Sequence, residues 1–413
     1  MDETLKQQLE AARAASRELA GADRDAGLLA MAAGLENDAA AILAANGEDV
    51  ERERGRGMSG ALLDRLTLDE ERLDGIALAL RQLAALPDPV GRTLTGSRRP
   101  NGLEIRQVTV PFGVVGMIYE SRPNVTVDAA ALVLKAGSSA VLRGSSSAVL
   151  SNRALVDSMR QALAAAGLPE EAVQLVDPDD RALVTQLLTA RGLVDLVVPR
   201  GGHSLIAHVV ETASVPVIET GVGNCHLYVD RGVDIAGAVA MVLNAKLQRP
   251  GVCNAIETLL VHEDAAEELL AAAGPALQEA GCELRAAPGA LPHLPGAVAA
   301  TPEDWDTEFL DLVLAVKTVA STEEAVEHIS RHGSGHSEAI FTESLESARL
   351  FREQVDAAAV YVNASTRFTD GAEFGLGAEL GISTQKLHAR GPLGLDVLVT
   401  SRYLVEGSGQ IRP

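Results

Sequence analysis

Gly113-Val114-Val115-Gly116-Met117-Ile118-Tyr119 is a short apolar run suited to a buried strand, and the alternation of strand and helix that begins with it decides the fold. Residues 127–135 have helical character, Ala140-Val141-Leu142 is a second apolar strand, and residues 148–165 a second helix. Residues 173–176, 193–198 and 215–218 continue as strands, with helical stretches between them. Strands alternating with helices predict an α/β fold with a parallel sheet covered on both faces. Dinucleotides commonly bind at the carboxyl edge of such sheets.

Outward from this unit, residues 1 to about 90 read as helices, with Leu5, Leu9 and Ala12 at helical spacing, closed by Pro87, Pro89 and Gly91. Residues 103–110 alternate, Leu103 and Ile105 against Glu104 and Arg106, as a half-exposed strand does. A second alternating region starts after Gly221, with helices at 234–247 and 265–280 and strands at 312–316 and 360–362. The tail, 395–411, alternates through Leu395, Val397, Val399, Tyr403 and Val405. It reads as a strand that pairs with the 103–110 strand or with another subunit.

A chain of 413 residues with 47% hydrophobic content has room for two or three domains and a sizeable core. Aromatics are only 3%, so Val, Leu, Ile and Ala must build that core, and disorder is excluded. The net charge of −22 repels polyphosphate backbones, which argues against nucleic acid as a partner. It leaves a small anionic substrate open, because clustered arginines reverse the field within one cleft. Met1-Asp2-Glu3-Thr4-Leu5-Lys6 lacks the basic start and apolar run of a signal peptide, and no apolar stretch reaches membrane-spanning length. The expectation is a cytoplasmic protein without a membrane, whose thiols stay reduced.

The three cysteines, Cys225, Cys253 and Cys282, form no C-x-x-C pair and suit free thiols. In Arg249-Pro250-Gly251-Val252-Cys253-Asn254, Pro and Gly end the preceding helix, which puts Cys253 on a turn and, by expectation, at a helix N-terminus. Partial positive charge there favours a thiolate nucleophile; the bland alternative is a buried thiol. Glu219 ends the run Val215-Pro216-Val217-Ile218 before a glycine-rich turn, facing either a cleft or water. In Glu120-Ser121-Arg122-Pro123-Asn124 the Asn124 amide suits a developing oxyanion, or simply a turn. Arg143-Gly144-Ser145-Ser146-Ser147 and Gly201-Gly202 each come after a strand and suit a pyrophosphate or ribose phosphate, although neither is a G-x-G-x-x-G fingerprint. The nine histidines are scattered. His332 and His336 lie among glycines where no helix is expected to hold them, so no metal site is expected. No G-x-S-x-G elbow is present.

The order of these sites resembles the aldehyde dehydrogenase superfamily, and in detail the branch of it that reduces the acyl phosphate of glutamate. The segments that carry the resemblance are Pro111-Phe112-Gly113-Val114-Val115-Gly116, Glu120-Ser121-Arg122-Pro123-Asn124-Val125-Thr126, Val217-Ile218-Glu219-Thr220-Gly221-Val222-Gly223-Asn224-Cys225-His226, Gln248-Arg249-Pro250-Gly251-Val252-Cys253-Asn254, and Asn363-Ala364-Ser365-Thr366-Arg367-Phe368. The resemblance implies a Rossmann-like cofactor domain (1–95 and 111–219), an α/β catalytic domain (220–384) and a small β oligomerisation arm (96–110 and 385–413).

By the same resemblance, Cys253 is the nucleophile, Asn124 the oxyanion donor and Glu219 the glutamate facing the cysteine. Glu308 falls near the acidic residue that holds the nicotinamide ribose, and Gly201 in the turn that lines the pyrophosphate. Arg122, Ser365, Thr366 and Arg367 are implied to bind substrate. Oxidising relatives often carry Lys and, three residues on, Glu where this chain has Arg143 and Ser146. With Ser145, these favour the 2′-phosphate of NADPH over the bare ribose of NADH. The implied reaction converts L-glutamyl 5-phosphate to L-glutamate 5-semialdehyde through a Cys253 thioester, in proline biosynthesis from glutamate. A homo-oligomer and a partner glutamate 5-kinase are expected with it. The competing readings are a hydrolytic aldehyde dehydrogenase and a non-enzymatic protein that kept the fold.

Overall fold

Five helices open the chain: α1 (Glu3–Leu19), α2 (Arg24–Asn37), α3 (Ala39–Gly55), α4 (Gly60–Leu66) and α5 (Glu70–Ala85). Asp2, Asp23 and Asp69 cap three of them, accepting from the N–H groups of Leu5, Ala26 and Arg72. Each cap satisfies a donor that a helix start leaves without an internal partner. The computed structural model describes residues 1–412 apart from residue 179. The chain divides into two units, Met1–Thr220 with Gly375–Gly381 and Leu393–Pro413, and Gly221–Phe374 with Ile382–Pro392.

In the first unit, β1 (Thr93–Arg98) pairs antiparallel with β2 (Glu104–Pro111). β1 was not expected: all six of its residues are exposed, so no apolar alternation marks it. Next along the chain come β3 (Val114–Tyr119), α6 (Pro123–Lys135), β4 (Ser139–Arg143), α7 (Val149–Ala165), β5 (Val173–Leu175), α8 (Arg181–Leu188), β6 (Leu196–Arg200) and α9 (His203–Thr212). The four strands β5-β4-β3-β6 form a parallel sheet. β3 is buried along its whole length because both faces are covered. Val114 and Ile118 pack with Leu5, Leu9 and Ala12 of α1, while the Tyr119 hydroxyl meets Thr126 of α6 at 2.7 Å. The strand order reverses direction between β3 and β6, the switch point outside which ligands bind in open α/β sheets.

The strand expected at 215–218 is reduced to an isolated bridge, Val197 to Val217. Pro216 has no N–H to give a ladder; its carbonyl accepts from Val197 at 2.8 Å and Ile218 returns one bond at 3.0 Å.

The second unit contains β7 (Cys225–Val229), α10 (Ile235–Leu247), β8 (Ile256–His262), α11 (Glu263–Glu279), β9 (Glu283–Ala286), β10 (Val298–Ala299), β11 (Val313–Val319), α12 (Thr322–His332), β12 (Ser337–Phe341), α13 (Leu345–Gln354) and β13 (Ala359–Val362), with a small pair β14 (Ile382–Ser383) and β15 (Gly391–Pro392). Seven strands form one parallel sheet in the order β10-β9-β11-β8-β7-β12-β13. Its core is aliphatic, as the low aromatic content requires, built on Leu227, Val242, Leu259, Val261 and Leu269.

The last strand, β16 (Val399–Glu406), belongs to the first unit and pairs antiparallel with β2, from Val399 opposite Pro111 to Glu406 opposite Glu104. Of the two partners expected for the tail, the strand within the chain is paired. The strand starts later than expected, because Leu395 and Val397 lie in a 3-10 turn and Leu395 and Leu398 are buried. Among the described residues no single helix is long and apolar enough to cross a membrane.

Candidate active site

Cys253 sits in the turn between α10 and β8. Asp234 caps the start of α10, accepting from Gly237 at 2.9 Å, and Pro250 prevents its continuation. The expectation of a helix N-terminus at Cys253 is corrected: the element that follows the turn is a strand, so Cys253 does not open a helix. The run Ile256-Glu257-Thr258-Leu259-Leu260-Val261 is buried throughout and takes the extended form. Its one charge, Glu257, is neutralised by Lys246 at 2.6 Å, both side chains being fully buried. Burial pushes the Glu257 carboxyl up to about 7 despite that partner.

Three groups clamp the backbone of the turn. Gly223 lies so close that a Cβ there would stand 1.7 Å from the Cys253 carbonyl oxygen. The Cys225 thiol donates to the same oxygen at 3.1 Å. Asn254 donates from Nδ2 to the carbonyls of Arg367 (3.3 Å) and Thr369 (2.9 Å), and its own carbonyl accepts from the Thr366 hydroxyl at 2.7 Å. Cys253 is partly exposed, whereas Cys225 and Cys282 are buried. Burial drives the Cys225 thiol well above its ordinary range and the Cys282 thiol up to about 11, so neither is poised to ionise.

A cation, Arg367, lies beside Cys253. Arg367 donates to Gln248 at 3.0 Å and feels both Arg249 and Cys253. Burial first, then repulsion from Arg249, holds its guanidinium below the usual value. Positive charge next to the sulfur is the setting in which nucleophilic cysteines are found. The Ser365 and Thr366 hydroxyls hold the turn: Ser365 accepts from the Arg367 N–H at 3.3 Å, and Thr366 is fully buried. A Glu308 carboxylate oxygen accepts from the Gly223 N–H at 2.6 Å, which ties Glu308 to the glycine that abuts Cys253. The second unit thus brings together Cys253, Glu308, Ser365, Thr366 and Arg367.

The remaining candidates lie in the first unit. The Arg122–Asn124 segment and Gly201 meet at the switch point: Tyr119 pairs with Arg200, and the Glu120 N–H donates to the Arg200 carbonyl at 3.2 Å. A Cβ at Gly201 would stand 2.7 Å from the Glu120 carboxyl carbon, so any other residue here would push the Glu120 side chain aside. Pro123 occupies the first position of α6, with Arg122 extended before it, and Asn124 Nδ2 donates to Asp128 at 3.1 Å. Glu219 is partly exposed just beyond the Val217 bridge.

At the end of β4, Ser145 caps a 3-10 turn that leads into α7, and Ser121 joins it through Ser147 at 2.6 Å. Arg143 was expected to be the one cation here. Instead it donates to the Pro178 carbonyl at 2.8 Å, and a second guanidinium, that of Arg52, holds the carbonyls of Ser146 (3.0 Å) and Ser147 (2.9 Å). Arg52 and Asp128 were not singled out in the sequence. Nothing local marks Arg52, 94 residues before its serine, whereas Asp128 carried a signal as an acid amid the apolar residues of α6. His332 also corrects an expectation, since it ends α12. Among the described residues no group of three or more His, Cys, Asp or Glu side chains is arranged to hold a metal ion.

Two parallel sheets, with a nucleotide-type switch point in the first unit and a partly exposed cysteine turn in the second, are the features of an α/β dehydrogenase. The profile of the aldehyde dehydrogenase family matches residues 3–283 and 298–379, and the chain belongs to that family. Within it, the chain is 56% identical over 404 residues to the gamma-glutamyl phosphate reductase of Moorella thermoacetica, covering 97% of each chain. It is 53% identical over 414 residues to that of Carboxydothermus hydrogenoformans, covering 100% of both. The crystal structure of the Thermotoga maritima gamma-glutamyl phosphate reductase superposes with a TM-score of 0.97 at 46% identity, over 100% of each chain.

Proposed function

We propose that the chain reduces L-glutamyl 5-phosphate to L-glutamate 5-semialdehyde and phosphate, with NADPH, as the second step of proline biosynthesis from glutamate. The observation that carries this is the end-to-end identity of 53% with a curated reductase of that name. The Cys253 sulfur attacks the acyl carbon; the C–S bond forms as the bond to the phosphate oxygen breaks, and phosphate leaves. Asn124 and the Cys253 N–H stabilise the oxyanion. Arg122 and Arg367, with Arg249 beside the latter, are the candidates for holding the phosphate or the α-carboxylate. No water needs activation in this direction, so Glu219 is not required as a base.

A nicotinamide cofactor goes with the family, and the first unit fits one in its parallel sheet, its switch point and the close approach at Gly201. The Ser145–Ser147 turn suits a 2′-phosphate with Arg143 beside it, which is why NADPH is the preferred reading; Arg52, paired with Asp49 at 2.7 Å and Glu53 at 3.1 Å, braces the turn. When bound, the nicotinamide would supply a hydride to the thioester carbon, and cleavage of the C–S bond would return the Cys253 thiolate and release the semialdehyde. Phosphorylating a free carboxylate requires ATP, so a glutamate 5-kinase is the proposed supplier. We take assembly to be a homo-oligomer and the compartment to be the cytoplasm.

The test is oxidation of glutamate semialdehyde with NADP or NAD, with and without inorganic phosphate. Turnover should require phosphate, because phosphorolysis releases the thioester. Cys253→Ala should abolish it, while Cys225→Ala and Cys282→Ala retain most of it. Fast oxidation without phosphate would support the hydrolytic alternative, and normal turnover by Cys253→Ala would sink the mechanism.

A further inference from the structure

Of the thirteen residues of α6, eleven are buried. The other two, Asn124 and Asp128, stand one turn apart on one face and touch, Nδ2 to Oδ2, at 3.1 Å. Every position between and beyond them is apolar or fully engaged in the core, so this polar pair is a single window in an otherwise closed helix. A carboxylate is an expensive occupant of such a place. Burial pushes Asp128 up to about 6, opposed by the Asn124 bond and by Arg200 at the end of β6. Orienting one amide does not call for a charge, since a neutral acceptor serves as well. A carboxylate in walls that strip its water, but with one side still open, is suited to a cationic group of a ligand.

We propose that Asp128 is a specificity-determining residue whose carboxylate receives the α-ammonium of the glutamyl substrate. This rests on the proposed reaction, in which Asn124 donates to the oxyanion of glutamyl phosphate. The reach is consistent with that role. An acyl carbon whose oxygen is bound by Asn124 stands about 3.5 Å from Nδ2. In an extended glutamyl chain the α-nitrogen is about 5 Å from that carbon. A charge-assisted N···O contact of about 2.8 Å then closes on Asp128, which is itself 3.1 Å from Nδ2. The pairing also has a chemical consequence. An amine held as ammonium has no lone pair to attack the aldehyde three carbons away, so the product cannot cyclise until it leaves.

The test compares L-glutamate 5-semialdehyde with its des-amino analogue, 5-oxopentanoate, at saturating phosphate and NADP, for wild type and Asp128→Asn. Wild type should favour the amino substrate by about 10- to 100-fold in kcat/KM, the usual worth of a charge-assisted hydrogen bond. In Asp128→Asn that ratio should fall to near one, with the loss mainly in KM for the amino substrate. An equal loss for both substrates would mean that Asp128 only orients Asn124, and would overturn the proposal. Equal kcat/KM for the two substrates in wild type would overturn it without any variant. Failure of the proposed reaction itself has a different signature, in which wild type turns over neither substrate or needs no phosphate.

Discussion

Gly223→Ala should damage catalysis through the backbone alone. A Cβ at this position stands 1.7 Å from the Cys253 carbonyl oxygen, 2.3 Å from its carbonyl carbon and 2.5 Å from its Cα, where contacts under 3.0 Å essentially never occur. All three atoms are main chain, so no rotamer change relieves the overlap. If Gly223 stays put, the oxygen must retreat by at least 1.3 Å, the difference between 3.0 and 1.7 Å. Gly223 is itself tethered by its N–H to Glu308 at 2.6 Å, so the two strain against each other. Displacing a nucleophile by about 1 Å costs on the order of 100-fold in rate, or about 2.7 kcal/mol of barrier.

The assay is kcat for phosphate-dependent semialdehyde oxidation, with the rate of Cys253 alkylation and a thermal melt run alongside. These separate a displaced turn from an unfolded protein. Gly221→Ala is the control: its Cβ would meet the Thr384 side chain, with the methyl at 2.2 Å and the hydroxyl at 2.7 Å. Rotation of that threonine relieves most of the contact, so its loss should stay below about 10-fold. A folded Gly223→Ala protein with kcat within about 3-fold of wild type would show that the turn does not depend on this contact.

Cofactor choice is tested by Ser146→Glu. Ser146 is exposed at the start of the 3-10 turn, so a larger side chain is accommodated, and a carboxylate there would repel a 2′-phosphate and bind a bare ribose. Wild type should prefer NADPH by about one to two powers of ten in kcat/KM, and the variant should lose that preference; an unchanged ratio would show that this turn does not read the 2′ position. Truncation before Val399 removes β16 and leaves β1 and β2 as a two-stranded ribbon, which is marginal alone. Leu94, Tyr403 and Val405 on this sheet are all exposed, so its loss should shift the protein towards monomer or aggregate in light scattering. An elution volume unchanged after correction for mass would count against the arm's role in assembly.

The sequence alone was sufficient where the signal is local. β3 is buried along its whole length and β4 along all but its last residue, and the runs Val114–Tyr119 and Ala140-Val141-Leu142 are apolar; Pro250-Gly251 must break a helix, so the parallel architecture and the turn at Cys253 were legible in the sequence. The element after that turn was not, because an apolar run with one glutamate reads equally as helix or strand. The structure makes it a strand, with β8 paired between β7 and β11 and its Glu257 buried against Lys246 of α10. β1 escaped notice for the opposite reason, since a wholly exposed strand has no alternation to read.

The surroundings of the reactive groups were beyond any local pattern. Cys225 reaches Cys253 across 28 residues, Asn254 reaches Thr369 across 115, and Arg52 reaches Ser146 across 94. Periodicity reports only which face of an element turns inward. Which distant backbone it meets there, and whether an acid such as Asp128 is left as the one polar opening in a buried helix, depends on the closure of the whole chain.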